Sequence, residues 1–315
     1  MVKVLSIVGY TRSGSTLLDA VLGQLEGFFS TGELHYLWER GLIEGRRCGC
    51  GEPIRACPVW SRVLDEVNPS GDPDPRRVVG WQERTVRTRH TPELLAGRAA
   101  VLVDRDALRS YRQLMSKLYA SIADVTGAKV VVDSSKRPSD GAITRLLPGV
   151  DPYFVHLVRD PRAVVYSWRR RKQELDSAEG TDMPQQSVAA SLVGWIELNL
   201  ASDALRRAAG RGRSLLIRYE DFIHRPREIV EQIMRLVGEA PATLPFQSER
   251  SVDLSSNHTV SGNPSRFSTG VVELRPDLEW RSMMPIRDRR LVTAVALPLM
   301  AHYGYPVSIK DSERG

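Results

Sequence analysis

The sequence predicts an α/β domain in which a mostly parallel sheet carries helices on both faces. Three observations lead there. Short, nearly continuous apolar runs recur at 3–10, 128–133 and 153–159, the pattern of strands buried on both sides. Segments with helical apolar spacing alternate with them. The first run also ends in a Gly/Ser/Thr turn that opens directly into a periodic stretch, as strand-to-helix crossovers do.

Taken in order, KVLSIVGY (3–10) is the first strand and TLLDAVLGQL the helix after it. FFSTGELHYLWERG (28–41) reads as a short strand or extended piece leading into a helical turn. RRCGCGEPIRACPVW (46–60) is Gly/Cys-rich and irregular, 61–67 is helical, and NPSGDPDP (68–75) is a loop by its Pro, Gly and Asp content. Residues 91–123 form one or two helices, with Leu108, Tyr111, Leu114, Met115, Leu118, Tyr119 and Ile122 on one face. The strands at 128–133 and 153–159 flank a helix near 139–147. Asp160 caps and Pro161 opens a helix over 161–175. A long amphipathic helix covers 186–208, a strand 213–221, a helix 227–238 that stops at Gly238, and a last helix about 286–303. No repeat, low-complexity tract or linker interrupts the chain. Residues 1–315 therefore read as one domain, with polar insertions at about 41–90 and 241–270 that shape a pocket wall or lid.

Composition narrows the class. The 315 residues are 42% hydrophobic and 26% charged, a globular balance rather than a disordered one. Three cysteines, all between Cys48 and Cys57, exclude a disulfide-stapled scaffold. The net charge of +6 comes without a stacking platform or a recognition-helix pattern, so no nucleic-acid partner is expected. The opening MVKVLSIVGYTRSGS runs straight into a strand instead of a signal peptide. Apolar stretches such as 99–105 and 291–300 fall short of the roughly 20 residues that a membrane span needs. A cytoplasmic protein without a span is the expectation.

Two stretches carry chemistry. After the strand ending at Tyr10 come Thr11, Arg12, Ser13, Gly14, Ser15 and Thr16, and then a helix. Such a turn aims backbone N–H groups at one point and suits a phosphate. Against the pattern GxxxxGK(S/T), Ser15 stands where the lysine belongs and Arg12 supplies a cation earlier. That counts against an ordinary nucleotide triphosphatase; the bland alternative is a plain strand-to-helix turn. In YFVHLVRDPRAVVYSW, Arg159 ends a strand and Ser167 lies in the following helix, a fork and a hydroxyl suited to a second phosphate. The bland alternative there is a surface arginine and an ordinary helix serine.

TRSGST at 11–16 followed by RDPRAVVYS at 159–167 resembles the paired nucleotide-binding signatures of sulfotransferases that use 3'-phosphoadenosine 5'-phosphosulfate (PAPS). RYEDF at 218–222 and the tail NPSRF…LRPDLEW…LPLMAHYGY are similar to this family too, so the resemblance runs from Val4 to Tyr305. The RSGST loop is nearest to bacterial enzymes and to the protein-tyrosine sulfotransferase branch. The resemblance implies a P-loop-like three-layer sandwich. It implies transfer of a sulfuryl group from PAPS to a hydroxyl of a small metabolite, glycan or lipid-like acceptor, leaving 3'-phosphoadenosine 5'-phosphate, with no metal required. By the resemblance, Arg12, Ser13, Gly14, Ser15 and Thr16 cradle the 5'-phosphosulfate. Arg159 and Ser167 hold the 3'-phosphate, and Gly262, Asn263 and Arg266 belong to a late loop closing over the nucleotide, which also holds His258.

Glu33, in a GE pair after the second strand, is the implied general base, and the neighbouring His35 is its competitor because its ordinary pKa suits neutral pH. Lys136, just past the strand at 128–133, faces the crevice formed by strand C-terminal ends and is implied to stabilise the leaving group alongside Arg12. Lys129 opens that strand at the wrong end. Asp133 reads as a local orienter rather than a metal ligand. Trp195 and Asn199 share a helix face, with Trp195 in the core. Cys48, Cys50 and Cys57, with His35 as a fourth ligand, match no common zinc knuckle, so a loop disulfide or free thiols are favoured. The basic run at 169–172 is a solvated face or a source of attractive field. Two competing readings remain: a P-loop kinase or nucleotide triphosphatase using Asp133 and a divalent metal, and an inactive nucleotide-binding regulatory protein. A homo-oligomer stays open.

Overall fold

The computed structural model describes residues 1–67, 74–97, 103–171, 175, 184–240 and 243–307. Five parallel strands make the central sheet: β1 (Val2–Val8), β2 (Phe28–Ser30), β3 (Val130–Lys136), β4 (Val150–Val158) and β5 (Ser214–Arg218). Their spatial order is β2-β3-β1-β4-β5, and helices cover both faces, the α/β sandwich that the sequence predicts. β6 (Ser251–Leu254) and β7 (Gly270–Glu273) form a separate antiparallel pair.

Period-two alternation distributes the strand side chains between two cores. Val4 and Val8 of β1, Val131 of β3 and Phe154 of β4 face one cluster with Trp38, Trp60 and Tyr119. Leu5, Ile7, Val130, Val132 and Val155 face the other, against Leu18, Leu22, Phe222 and Ile233. A third cluster packs Trp195 with Val164, Trp280, Met300 and Tyr303 at the end of β4. These faces fix β1 between β3 and β4, so the loops after the three strands emerge side by side.

Several boundaries differ from the sequence reading. β3 runs three residues past Asp133, because its carboxylate accepts bonds from the Ser135 backbone N–H at 2.9 Å and hydroxyl at 2.5 Å, and the ladder resumes through a bulge at Val8↔Lys136. β5 stops at Arg218 and Tyr219–His224 is helical; Arg218 forks onto Asp221 at 2.8 Å through both nitrogens, across one turn. The helix expected over 161–175 is Pro161–Arg169, with Arg170 already extended. Residues 172–174 of that expectation, including the end of the basic run, lie outside the described residues, as does 68–73 of the expected loop. Within the first insertion lies a helix, Pro75–Thr85, started by Asp74, which accepts from the Arg76 N–H at 3.0 Å, and by Pro75 at its first position. The second insertion, read as loop, contains β6. Among the described residues, the Val188–Ala209 helix, read from the sequence as amphipathic, is long and apolar enough by composition alone to cross a membrane. Its Leu192, Trp195 and Leu205 are buried in the cores.

Candidate functional site

A cavity of about 390 Å³ opens at the C-terminal edge of β1, β3 and β4. Its floor is the turn after β1. Gly9 sits at φ +140°, with the Leu157 carbonyl where a Cβ would stand. Gly14, at φ +89°, lies so close to the Tyr219 ring that a Cβ there would overlap it. Both positions require glycine. Between them the chain turns sharply enough that Gly14, Ser15 and Thr16 present the start of the Ser15–Leu22 helix to the cavity. The first N–H groups of a helix have no acceptor within it and favour an anion. Arg12 is held at φ +66°, with its guanidinium 5.0 Å from the Trp168 ring centroid. Burial lowers its pKa and the Glu33 charge opposes that.

Arg159 closes one side. Its Nη1 donates to the Arg12 carbonyl at 3.1 Å and its Nη2 to Asp277 Oδ2 at 3.2 Å, while the guanidinium lies 4.5 Å from the Tyr219 ring centroid. Trp195, buried as expected, donates from Nε1 to the Arg159 carbonyl at 3.0 Å and so fixes this strand end from behind. Asp160 accepts from the Arg162 N–H at 2.9 Å, the expected cap, and the helix it starts carries Ser167 to the cavity wall.

On another side Lys136 Nζ donates to Glu33 Oε1 and, at 3.3 Å, to the Ser134 carbonyl. Glu33 is 9% and Lys136 6% exposed. Lys136 sits at φ +67°, and Arg12 is the other non-glycine residue at positive φ among those described. The Glu33 N–H donates to the Ser261 carbonyl at 3.2 Å, tying this wall to the late loop. Asn263 caps the short helix after it by accepting from the Ser265 N–H at 3.3 Å.

The structure thus brings Arg12, Gly14, Ser15, Thr16, Glu33, Lys136, Arg159, Ser167, Gly262 and Asn263 to one cavity. Ser13 is buried outside its wall. His35 lies in a separate cleft, its Nδ1 3.0 Å from Asp140 Oδ2. Arg266 is spent on the backbone, donating to the Thr259 carbonyl at 2.7 Å and the Arg47 carbonyl at 2.6 Å. Asp133 is enclosed by Ser135 and by the Tyr119 hydroxyl at 2.7 Å, and burial raises its pKa. Tyr36, Arg40, Trp168, Tyr219 and Asp277 line the cavity without having been singled out as site residues. For one pair a signal existed: Tyr36 and Arg40 stand at i,i+4, and the guanidinium lies 4.1 Å from the ring centroid.

The sequence profile of the sulfotransferase family matches residues 5–241. Carbohydrate sulfotransferase 3 of Homo sapiens is 30% identical over 172 residues, 51% of this chain and 35% of that protein. The Rattus norvegicus protein of that name is 27% identical over 175 residues, 52% and 36% of the two chains. The chain spans about a third of the length of these relatives. Among solved structures, a sulfotransferase domain from the curacin biosynthetic pathway superposes with a TM-score of 0.54 over 98% of this chain and 99% of that one, at 16% identity. The sulfotransferase domain of the Synechococcus PCC 7002 olefin synthase gives 0.51 over 93% and 94%, at 21% identity. At these identities the likeness is one of fold.

Proposed function

The chain belongs to the sulfotransferase family, and from that premise we propose that it transfers a sulfuryl group from PAPS to a hydroxyl. One observation carries the reading: a single cavity joins a glycine-shaped helix start, three arginines and an acid–lysine pair. Helix start and Arg12 suit the 5'-phosphosulfate, and Arg159 with Ser167 suits the 3'-phosphate. Gly262 and Asn263 supply the late-loop contacts.

In the transfer, the acceptor oxygen attacks sulfur in line while its proton passes to Glu33. The bond from sulfur to the bridging oxygen breaks, and its electron pair leaves on the 5'-phosphate of 3'-phosphoadenosine 5'-phosphate. Lys136 and Arg12 stabilise the charge that develops there. Glu33 and Lys136 both line the cavity, which supports a catalytic role over nucleotide binding alone. Ser15 at the lysine position and the enclosed Asp133 count against the kinase reading. Among metabolite, glycan and lipid-like hydroxyls, the names of the curated relatives favour a glycan.

Calorimetry tests the donor. The 3',5'-bisphosphate should bind more than tenfold tighter than AMP, since each charge-assisted bond to the extra phosphate contributes roughly 1.5–3 kcal/mol. Equal affinities, or preference for ATP, would overturn the assignment. A mass-shift screen over glycan, metabolite and lipid hydroxyls then identifies the acceptor.

A further inference from the structure

The Cys-rich insertion and the late loop meet in a cluster that sulfuryl transfer does not use. Cys48, Cys50, Cys57 and His258 offer ligand atoms that all lie within 4.8 Å of one another. His258 Nδ1 is 3.2 Å from Cys57 Sγ and 4.0 Å from Cys48 Sγ. A tetrahedral zinc with Zn–S near 2.3 Å and Zn–N near 2.0 Å sets S···N at about 3.5 Å and S···S at about 3.8 Å. The two S···N separations bracket the first value, and the outer limit exceeds the second by about an ångström, within reach of small side-chain rotations. The sequence reading weighed His35 as a fourth ligand and favoured a loop disulfide or free thiols instead. His35 is instead engaged with Asp140, and His258 arrives from 201 positions beyond Cys57.

The backbone around the cluster is shaped for this meeting. Gly49, between two of the cysteines, has no room for a Cβ: Asn257 Oδ1 occupies that place and Thr259 Oγ1 would stand 2.8 Å away. Its N–H donates to the Thr259 carbonyl at 2.9 Å. Gly51, at φ +93°, completes the turn, its N–H donating to the Cys48 carbonyl at 2.9 Å. Trp60 Nε1 donates to the His258 carbonyl at 2.6 Å. All three thiols are free, and Cys48 and Cys57 are buried. A disulfide would use two of the sulfurs and leave the third thiol and the imidazole without a role.

We propose that Cys48, Cys50, Cys57 and His258 form a structural zinc site that clamps the late loop to the Cys-rich insertion. Three thiolates and one imidazole are a soft, closed tetrahedral set, the kind that selects zinc and leaves no open position for substrate. Binding releases the thiol protons to solvent, with no change of oxidation state. The clamped loop continues into Gly262 and Asn263, so the metal holds one wall of the cavity from outside it. Arg266, bonded to the Arg47 and Thr259 carbonyls, reinforces the same junction.

The test is metal content. The whole chain, purified in reductant without chelator, should carry one zinc per chain by elemental mass spectrometry. Replacing the metal with Co²⁺ should give thiolate charge-transfer and tetrahedral ligand-field bands. Cys57→Ser and His258→Ala should each lose most of the zinc, and the Gly49 amide should exchange faster in both. If these variants aggregate, the wild-type cobalt spectrum decides alone. Absence of both zinc and cobalt bands from the reduced wild type, zinc retained in full by both variants, or a disulfide between two of the cysteines in freshly purified protein would each overturn the proposal.

Discussion

Glu33 and Lys136 neutralise each other in a nearly buried pair, so replacing one uncovers the other's charge. In the proposed transfer, Glu33→Gln keeps size and cannot take the acceptor proton. Its kcat should fall by about 10²–10⁴-fold with bisphosphate affinity almost unchanged, as steady-state kinetics and calorimetry would show. Lys136→Ala should lower kcat more than binding, because its charge matters most as the leaving oxygen becomes negative. A Glu33→Gln enzyme turning over near the wild-type rate removes Glu33 from the mechanism. Asp19 offers a different kind of reading. Burial in the Ser15–Leu22 helix pushes its carboxyl up to about 7, only partly countered by the bond from the Ser30 hydroxyl. The folded chain then keeps a proton that the unfolded chain releases near pH 3.9, so the native state binds more protons between those values. This group's contribution to stability is therefore greatest below about pH 4, declines as pH rises to about 7, and is flat above. Asp19→Asn should gain Tm relative to wild type across that window, most at its upper end. A Tm difference that does not vary with pH would refute it.

At the scale of elements, the turn after β1 is the least replaceable. Gly14→Ala combines a strained φ with overlap of the Tyr219 ring, whereas Gly97, at φ +62°, has open space where a Cβ would go. Gly97→Ala should therefore cost only the backbone term, about 1 kcal/mol. Gly14→Ala should lower Tm further and weaken bisphosphate binding more than tenfold; equal effects of the two would show that the Tyr219 contact is immaterial. The same turn was legible in the sequence because its strand–glycine–helix order is local, as was RDPRAVVYS for the same reason. β1, β3 and β4 were legible because strands buried on both faces need unbroken apolar runs. Pro75–Thr85 was not, since its buried residues are Val78, Gln82 and Thr85, too polar to leave a stripe. Nor were β6 and β7, four residues each with Asp253 and Val271 exposed. Asp277 and His258 reach their partners from 118 and 201 positions away, through packing that no local spacing encodes.

For the molecule as a whole, the cavity gathers the cationic side chains of Arg12, Lys136 and Arg159, which in the proposed transfer take the part that a divalent ion plays in phosphoryl transfer. Turnover with PAPS should accordingly be the same with Mg²⁺ added or omitted, measured at saturating donor. A rate that collapses without Mg²⁺ and recovers with it would move the chain to phosphoryl chemistry. Arg12 and Lys136 also sit where L-residues are least at ease, each about 1–2 kcal/mol above an ordinary backbone conformation. Glycine at position 12 would relieve that strain and take away a cation from the proposed transfer site, whereas glycine at position 136 would leave Glu33 buried without its partner. A laboratory evolution campaign that scored heat resistance alone would drift toward glycine at position 12 and arrive at a sturdier protein stripped of one cation that the proposed transfer uses. Any programme to harden this fold has to screen for sulfuryl transfer in every round.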